Sequence, residues 1–306
     1  MALTLSLLIK LLPLYLNILL GYIAGRKLDV NGDSIARLMF YMINPLLIFH
    51  GVATTKMDGA ILSLPIITFA IASIICLVFY QFSSRLWEGP SKNLVAFSAG
   101  SGMTGYFGLP LAIMLLDEQS EGIYIMTILG VTLYENSLGY YISAKGSYTT
   151  AECMKKIIKL PTTYAFLVGL AITLFSVELP DIYTEFINGI KGVYVVLGMM
   201  IVGLGMASVT NFKVDFKFIG LTFAAKFFVW PLIVLGVILI DTAFFGFYDP
   251  NVHQALIVLS IVPMAVNTIV LASVMKYQAD AAASTVMLSM VFALFYVPVM
   301  AFFLIK

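Results

Sequence analysis

The chain has 306 residues, of which 61% are hydrophobic and only 11% are charged. Soluble domains carry about 25% charged residues, so this composition excludes an ordinary soluble protein and predicts a polytopic membrane protein. The formal net charge of +1 and the lack of a long basic run give no support for nucleic-acid binding.

Stretches of about 17 to 25 mostly apolar residues predict ten membrane-spanning helices. No basic region or cleavage site marks the first stretch as a signal peptide, so we expect it to be a retained span. In chain order the predicted spans are 4–25, 35–53, 60–82, 93–116, 122–144, 160–176, 189–209, 217–240, 252–275 and 281–304.

The Lys and Arg residues predict how these spans are oriented. If the spans alternate in direction, three basic residues fall in loops on one side and twelve on the other. The twelve are Arg26, Lys27, Arg37, Arg85, Lys92, Lys145, Lys155, Lys156, Lys159, Lys213, Lys217 and Lys276. The positive-inside rule therefore predicts that this side is cytoplasmic and that both termini lie outside the plasma (inner) membrane.

The longest polar stretch divides the chain into two halves of five spans each. We predict a first five-helix repeat over 1–144, a cytoplasmic linker over 145–159 and a second five-helix repeat over 160–306. Because each half has an odd number of spans, the halves cross the membrane in opposite senses. This arrangement is an inverted-topology repeat if the halves are related.

The fourth span of each half is interrupted by glycine and proline. The first break reads Gly-Ser-Gly-Met-Thr-Gly-Tyr-Phe-Gly-Leu-Pro over 100–110, and the second reads Ser-Ile-Val-Pro-Met-Ala-Val-Asn-Thr over 260–268. A broken helix persists in a membrane only where its freed backbone groups are buried in protein or line a cavity. Paired breaks indicate a transporter site near the midplane, where half-helix amino termini attract a carboxylate. The alternative, that these residues only permit close packing and kinks, stays open.

The predicted substrate-binding residues lie at the two breaks and in the second span. Two of them carry amides, which can donate hydrogen bonds to a carboxylate without bringing a charge into lipid. The set is Asn44, Pro45, Gly102, Met103, Thr104, Gly105, Tyr106, Gly108, Pro110, Pro263, Asn267 and Thr268.

Two ionisable residues are predicted at equal depth near the membrane centre. Glu135 and Lys226 each lie about 14 to 15 Å from the cytoplasmic boundary, as judged from the helical rise. They can pair if their helices are neighbours, either as a structural ion pair or as a proton-responsive element, and both roles stay open. His50, near the outer end of the second span, is expected to be an interfacial histidine.

Motifs for catalysis, phosphate binding or metal ligation are absent from the sequence. Cys76 and Cys153 are isolated and match no disulfide framework or metal spacing. We therefore expect no enzyme activity, no metal and no cofactor, and we expect that ion or solute gradients supply the energy.

Several segments resemble the auxin efflux carrier family in its short microbial form. They are Pro13 to Gly25, Asn44-Pro-Leu-Leu, the Thr-Gly-Tyr-Phe-Gly-Leu-Pro-Leu string at 104–111 and the Pro-Met-Ala-Val-Asn-Thr-Ile-Val-Leu-Ala string at 263–272. The resemblance implies an all-α fold of ten transmembrane helices with crossed, broken helices four and nine, similar to sodium/proton antiporters and bile-acid transporters. It also implies a core of spans three to five and eight to ten that moves against a scaffold of spans one, two, six and seven.

The resemblance further implies a substrate class. Microbial members are associated with malate, malonate and similar acids, whereas plant members export auxin. Met103 stands where family members commonly carry Asn, and the long central loop of the plant carriers is missing, so auxin is not expected here.

We therefore expect a secondary active transporter of small organic anions that works by an elevator-type displacement. Its partners would be the anion, a proton or sodium as coupling ion, and membrane lipid, and a homodimer is compatible with the sequence. Two alternatives stay open: a sodium/proton exchanger that uses Glu135, and a membrane sensor without transport.

Overall fold

The computed structural model describes residues 2–143, 160–209, 212–274 and 277–305. This part of the chain folds into helices and contains no β-strand. The predicted linker, 145–159, lies outside the described residues.

The helices are numbered here in chain order. They are α1 (Ala2–Lys27), α2 (Gly32–Thr54), α3 (Gly59–Ser83), α4 (Ser91–Gly100), α5 (104–115), α6 (Glu118–Asn136), α7 (Leu138–Ser143), α8 (Pro161–Leu174), α9 (Asp181–Ala207), α10 (Phe216–Phe245), α11 (Pro250–Ser260), α12 (Asn267–Val274) and α13 (Ala279–Leu304).

Five of the described helices are long and apolar enough to cross a membrane by themselves. They are α2, α3, α10 and α13 over their whole lengths, and α9 from Ile182 to Ala207. The interrupted helices α4, α5, α11 and α12 are each shorter than the roughly 20 residues that a membrane span needs. The helices agree with the polytopic membrane protein that the composition predicts.

Several helix boundaries differ from the predicted spans. The helix α9 begins at Asp181, eight residues before the predicted start of its span, because its first turns carry polar residues that an apolar window excludes. The helix α6 begins at Glu118, where Asp117 caps it by accepting a hydrogen bond from the Ser120 N–H at 2.7 Å. It ends at Asn136, and the short helix α7 continues after Ser137.

Three prolines inside the helical segments follow a widened π turn. These turns cover Met39–Ile43 before Pro45, Thr104–Gly108 before Pro110, and Ala225–Val229 before Pro231. Proline has no N–H, and its ring collides with the carbonyl one turn earlier, so a wider turn relieves the clash while the chain stays helical. Local sequence therefore sets the shape of helices that approach the two breaks.

The helices pack most extensively within two groups. The frame helices are α1, α2, α8 and α9, with α1 against α9 and α2 against α8. The crossing helices are α3 to α7 and α10 to α13, with α3 against α4 and α6, and α6 against α11. Packing is therefore denser within each of these groups than between them.

Loops and helix ends meet at two opposite ends of the molecule. At the basic end, which bears the α1–α2, α3–α4, α9–α10 and α12–α13 loops, Arg26 Nη2 donates to the Val209 carbonyl at 3.3 Å and the Lys213 N–H donates to Ser284 Oγ at 3.0 Å. At the opposite end, the hydroxyls of Ser63 and Tyr248 lie 2.7 Å apart. Arg26 and Lys213 lie at the first of these ends.

The contact between α1 and α9 depends on glycines that bring the two backbones together. A Cβ placed on Gly203 would lie 2.0 Å from the Ile18 carbonyl oxygen, and one on Gly21 would lie 2.1 Å from the Met200 carbonyl oxygen. The opposing atoms are backbone, so they cannot move aside as a flexible side chain could. Close approach through small residues is a common basis of helix association in membranes.

Substitution of Gly203 with Ala should force α1 and α9 apart. We expect the melting temperature in detergent to fall by about 2 to 10 °C, because overpacking a tight contact costs about 1 to 3 kcal/mol. Gly192→Ala in the same helix is the matched control, since a Cβ there meets nothing within 4 Å. Equal melting temperatures for the two variants would contradict the packing argument.

Candidate functional site

The two interrupted helices meet at their breaks. The N–H of Met103, in the first break, donates a hydrogen bond of 2.9 Å to the carbonyl of Pro263, in the second break. The helices α4 and α11 therefore end at this crossover, and α5 and α12 begin there. The crossover places two helix carboxyl ends and two helix amino ends in one small volume.

The first break turns sharply at Met103. Its backbone adopts φ −76° and ψ 57°, and the Thr104 N–H donates to the Gly102 carbonyl at 2.7 Å. This geometry is an inverse γ-turn, which reverses the chain in three residues. The turn separates α4 from α5 without using a left-handed residue.

Buried aromatic side chains donate hydrogen bonds to backbone carbonyls on both sides of the first break. The Trp230 indole N–H donates to the Ala99 carbonyl at 2.8 Å, and the Tyr134 hydroxyl donates to the Phe97 carbonyl at 3.0 Å. The Tyr124 hydroxyl donates to the Thr104 carbonyl, also at 3.0 Å. An unsatisfied buried carbonyl would cost about 1 to 3 kcal/mol, so the bond from Trp230 makes the free Ala99 carbonyl near the end of α4 tolerable.

The second break is held by hydroxyl side chains. The Met264 N–H donates to Ser289 Oγ at 3.2 Å, and Ser98 Oγ donates to Thr268 Oγ1 at 3.1 Å. The first turn of α12 uses its own preceding carbonyls, because the Thr268 N–H donates to Ala265 and the Ile269 N–H donates to Val266. This amino end therefore offers fewer free N–H groups than the sequence predicts.

A cavity of about 250 Å³ lies beside the crossover. It is bounded by α2, by both breaks, by the last part of α6 and by α9. The lining residues are Phe40, Asn44, Gly102, Met103, Thr104, Gly105, Tyr106, Ile128, Thr132, Glu135, Asn136, Tyr194, Ala265, Val266 and Asn267. Because Phe40 lies in the first half of α2 and Glu135 lies near the end of α6, the cavity lies on the side of the crossover that faces the basic end.

Hydrogen-bond donors face this cavity from two elements. The γ-turn uses the Thr104 N–H, whereas the next N–H groups of α5 have no acceptor within the helix. Gly105 and Tyr106, which carry two of these groups, line the cavity. The amide of Asn44 reaches the cavity from α2. Together with the partial positive charge of the α5 amino end, these groups form an environment that favours an anion.

The second amide predicted to bind the substrate, that of Asn267, is hydrogen-bonded to the carboxylate of Glu135. Asn267 Nδ2 donates to Glu135 Oε2 at 2.7 Å, and the other carboxylate oxygen, Oε1, is buried. The protein thus places its own carboxylate at the amino end of α12. A second carboxylate arriving at this position would have to share it or displace it.

Glu135 and Lys226 do not form the direct ion pair that equal depth suggested. They are not in ion-pair contact in the described part of the chain, and Lys226 Nζ instead lies 4.6 Å from the Trp230 ring centroid. A Cβ on Gly102 would lie 2.5 Å from Lys226 Nζ, so the ammonium packs directly against the first break. Both charges therefore meet the crossover, from different helices.

Six predicted residues do not line the cavity: Pro45, Gly108, Pro110, Pro263, Thr268 and Lys226. Gly108 and Pro110 lie at close packing contacts instead. A Cβ on Gly108 would lie 2.0 Å from the Tyr124 hydroxyl, and a Cβ on Gly198 would lie 3.3 Å from the Pro110 ring. Pro263 supplies the crossover carbonyl, and Thr268 is fully buried.

Several other lining residues are not predicted by the sequence patterns. Phe40, Ile128 and Tyr194 supply apolar surface, and Thr132 and Asn136 supply polar atoms next to Glu135. Asn136 Nδ2 donates to the Thr132 carbonyl at 2.8 Å. One signal was present, because Thr132, Glu135 and Asn136 follow helical spacing and so share one face of α6.

Comparisons with known proteins agree with a transport function. The sequence matches the model of a family described as membrane transport protein over residues 6–142 and 147–301. It is also similar to a protein named uncharacterized transporter MJ1031 of Methanocaldococcus jannaschii, with 22% identity over 302 residues. That similarity covers 94% of this chain and 96% of the relative.

Substitution of Gly102 with Ala should displace the Lys226 ammonium from Trp230. We expect a change in intrinsic fluorescence, because the protein has only two tryptophans and the charge beside one of them would move. Gly105→Ala is the matched control, since a Cβ there would lie 3.5 Å from the Tyr194 hydroxyl, an ordinary contact. Identical emission spectra for Gly102→Ala and the parent protein would refute the tight contact.

Proposed function

The chain belongs to the membrane transport protein family, which is the auxin efflux carrier family, and from this premise we propose that it is a secondary active transporter of small organic anions. The proposed substrates are small carboxylic acids such as malate or malonate. The crossover beside the cavity supports the proposal most strongly, because it presents main-chain donors and the Asn44 amide to one enclosed volume.

The size and lining of the cavity suit a small acid. Its volume of about 250 Å³ is below the 300 to 1,000 Å³ that is common for sites of drug-sized ligands. We place the carboxylate at the first turn of α5 and at Asn44, with Phe40, Tyr194 and Val266 against the apolar part of the substrate.

Electrostatics couple this substrate to the charge of Glu135. Two carboxylates about 4 Å apart repel by about 4 kcal/mol at an effective dielectric constant of 20. The anion therefore binds best when Glu135 carries a proton, so that the nearby Lys226 ammonium faces one negative charge and not two. We propose the proton as the coupling ion on this basis.

For the movement, we propose that the crossing helices are displaced against the frame helices in an elevator-like step. This proposal includes ten membrane spans in two inverted five-helix halves, with the basic end in the cytoplasm and both termini outside. The denser packing within each helix group than between the groups supports such a division.

A sodium/proton exchanger is the second candidate. It is favoured by one observation, that the carboxylate of Glu135 lines the cavity and has one oxygen buried. Sodium-dependent proton movement in proteoliposomes that takes place without any added carboxylate would support this candidate over the anion transporter.

The anion proposal is tested by uptake into proteoliposomes with labelled malate, malonate, lactate and indole-3-acetate. We expect saturable uptake and counterflow of at least one small acid, and we expect Asn44→Ala to raise its KM by about tenfold, because one hydrogen bond to a charged group contributes about 1.5 kcal/mol or more. Asn31→Ser is the matched control, since Asn31 caps α2 away from the cavity. If none of the four acids is bound or moved by the parent protein, the proposal fails.

Replacement of Glu135 with Gln should remove the pH dependence of uptake. In the parent protein we expect uptake to fall as the pH rises, because the ionised carboxylate repels the substrate and holds the Asn267 amide. Glutamine keeps the shape and is neutral at every pH, so its profile should be flat. A folded, active Glu135→Gln variant with the pH profile of the parent would exclude the proton role.

A further inference from the structure

A second cluster of charged side chains lies at the opposite end of the molecule, away from the cavity. Lys191 of α9 places its Nζ 3.2 Å from Glu121 Oε2 and 3.6 Å from Glu118 Oε1. Both glutamates belong to the first turn of α6. His50 of α2 approaches the same group, with its Nε2 3.8 Å from Glu118 Oε1.

The cluster connects the two helix groups. Lys191 and His50 lie on frame helices, whereas Glu118 and Glu121 lie on a crossing helix. Each ionic contact of Lys191 therefore resists separation of the groups at this end. In the described part of the chain, the other lysine ion pair, between Lys213 and Asp280, is solvent-exposed and lies at the basic end.

Because these charges are buried, the ion pairs can break at little net cost in free energy. The Lys191 and Glu121 side chains are only 11% and 9% exposed. Removing two charges from water costs about as much as their attraction returns, so a buried pair adds little net stability. If the helix groups separate, both charges are hydrated again, so the closed and open arrangements stay close in free energy.

Unsatisfied polar atoms next to the ion pairs oppose the closed arrangement. Both ring nitrogens of His50 and the hydroxyl of Tyr183 are buried without a hydrogen-bond partner among the described residues. The His50 and Tyr183 rings lie 5.8 Å apart, so the two groups share one site on the frame side. Water that enters on separation would satisfy these atoms, which makes opening less costly.

We propose that Lys191, Glu118 and Glu121 form a latch that closes the opposite end while the cavity lies towards the basic end. Release of the latch lets the crossing helices move against the frame helices and gives the cavity access from the opposite end. The inference rests on the proposed transport function, because only a protein that exposes its site alternately needs a releasable closure at one end.

The latch is tested by the accessibility of a cysteine placed in the cavity, which does not depend on turnover. Thr132→Cys is labelled by a membrane-impermeant maleimide in right-side-out and in inside-out vesicles, and the protein with its native cysteines serves as the blank. Lys191→Met, and Lys191→Met with Glu121→Gln, are introduced into this reporter. The double variant removes both buried charges, so it stays informative if the single variant fails to fold.

We expect both latch variants to raise the labelling rate from the side of the opposite end by about fivefold or more, the effect of a typical coupling between sites. Lys213→Met, which removes the exposed lysine of the other pair, should leave the rate unchanged. An unchanged rate in the double variant, or an equal rise in the Lys213→Met control, would overturn the latch.

Failure of the latch and failure of the transport proposal give different results. If labelling shifts but malate, malonate, lactate and indole-3-acetate neither bind nor move, the closure exists and the substrate class is wrong. If one of these acids is transported by the parent protein and labelling does not shift in the double variant, the transporter stands and the latch is wrong.

Discussion

The structure around the site depends on one constraint: backbone groups that a broken helix releases must find partners inside the protein. The hydrogen bond from the Met103 N–H to the Pro263 carbonyl meets this need for both breaks at once, because each break supplies half of it. The Trp230 indole N–H meets it for the Ala99 carbonyl near the end of α4. The N–H groups that remain free at the start of α5 are therefore an exception, and they face the cavity.

The same constraint explains where the charges lie. A charge at membrane depth is expensive unless dipoles, amides or aromatic faces compensate it. The Glu135 carboxylate has the Asn267 amide and the amino end of α12, and the Lys226 ammonium has the Trp230 face beside the carboxyl end of α4. Each charge is thus stabilised by a different half-helix of the crossover. Because the two residues do not form a direct ion pair, Glu135 can gain or lose a proton while Lys226 keeps its contact with the Trp230 ring.

The sequence predicted the features that local chemistry determines and missed those that depend on distant partners. Glycine and proline at 100–110 and 260–268 predict the breaks, because these residues disturb a helix wherever they stand. Asn44 was predicted for the cavity because it precedes Pro45 in an otherwise apolar span. The contact of Asn267 with Glu135, 132 positions away in the chain, could not be predicted, and it replaced the expected approach of Lys226. Tyr194 and Thr132 were missed because a cavity wall is defined by packing between helices, and a single sequence contains little information on it.

The two ends of the molecule differ in how their polar groups are paired. Towards the basic end, the cavity is lined by hydrogen-bond donors of Asn44 and of the first turn of α5. At the opposite end, Lys191 forms ion pairs with Glu118 and Glu121 across the boundary between the helix groups. A transporter that alternates between two arrangements must make each of them metastable, and a buried ion pair beside unsatisfied groups such as His50 does this, since its net contribution is small. Acidic residues lie near both ends of α6. Glu118 and Glu121, in its first turn, belong to the latch, and Glu135, near its last residue, lines the cavity. A displacement of α6 along its axis would therefore change both sites together, which is the coupling that alternating access requires.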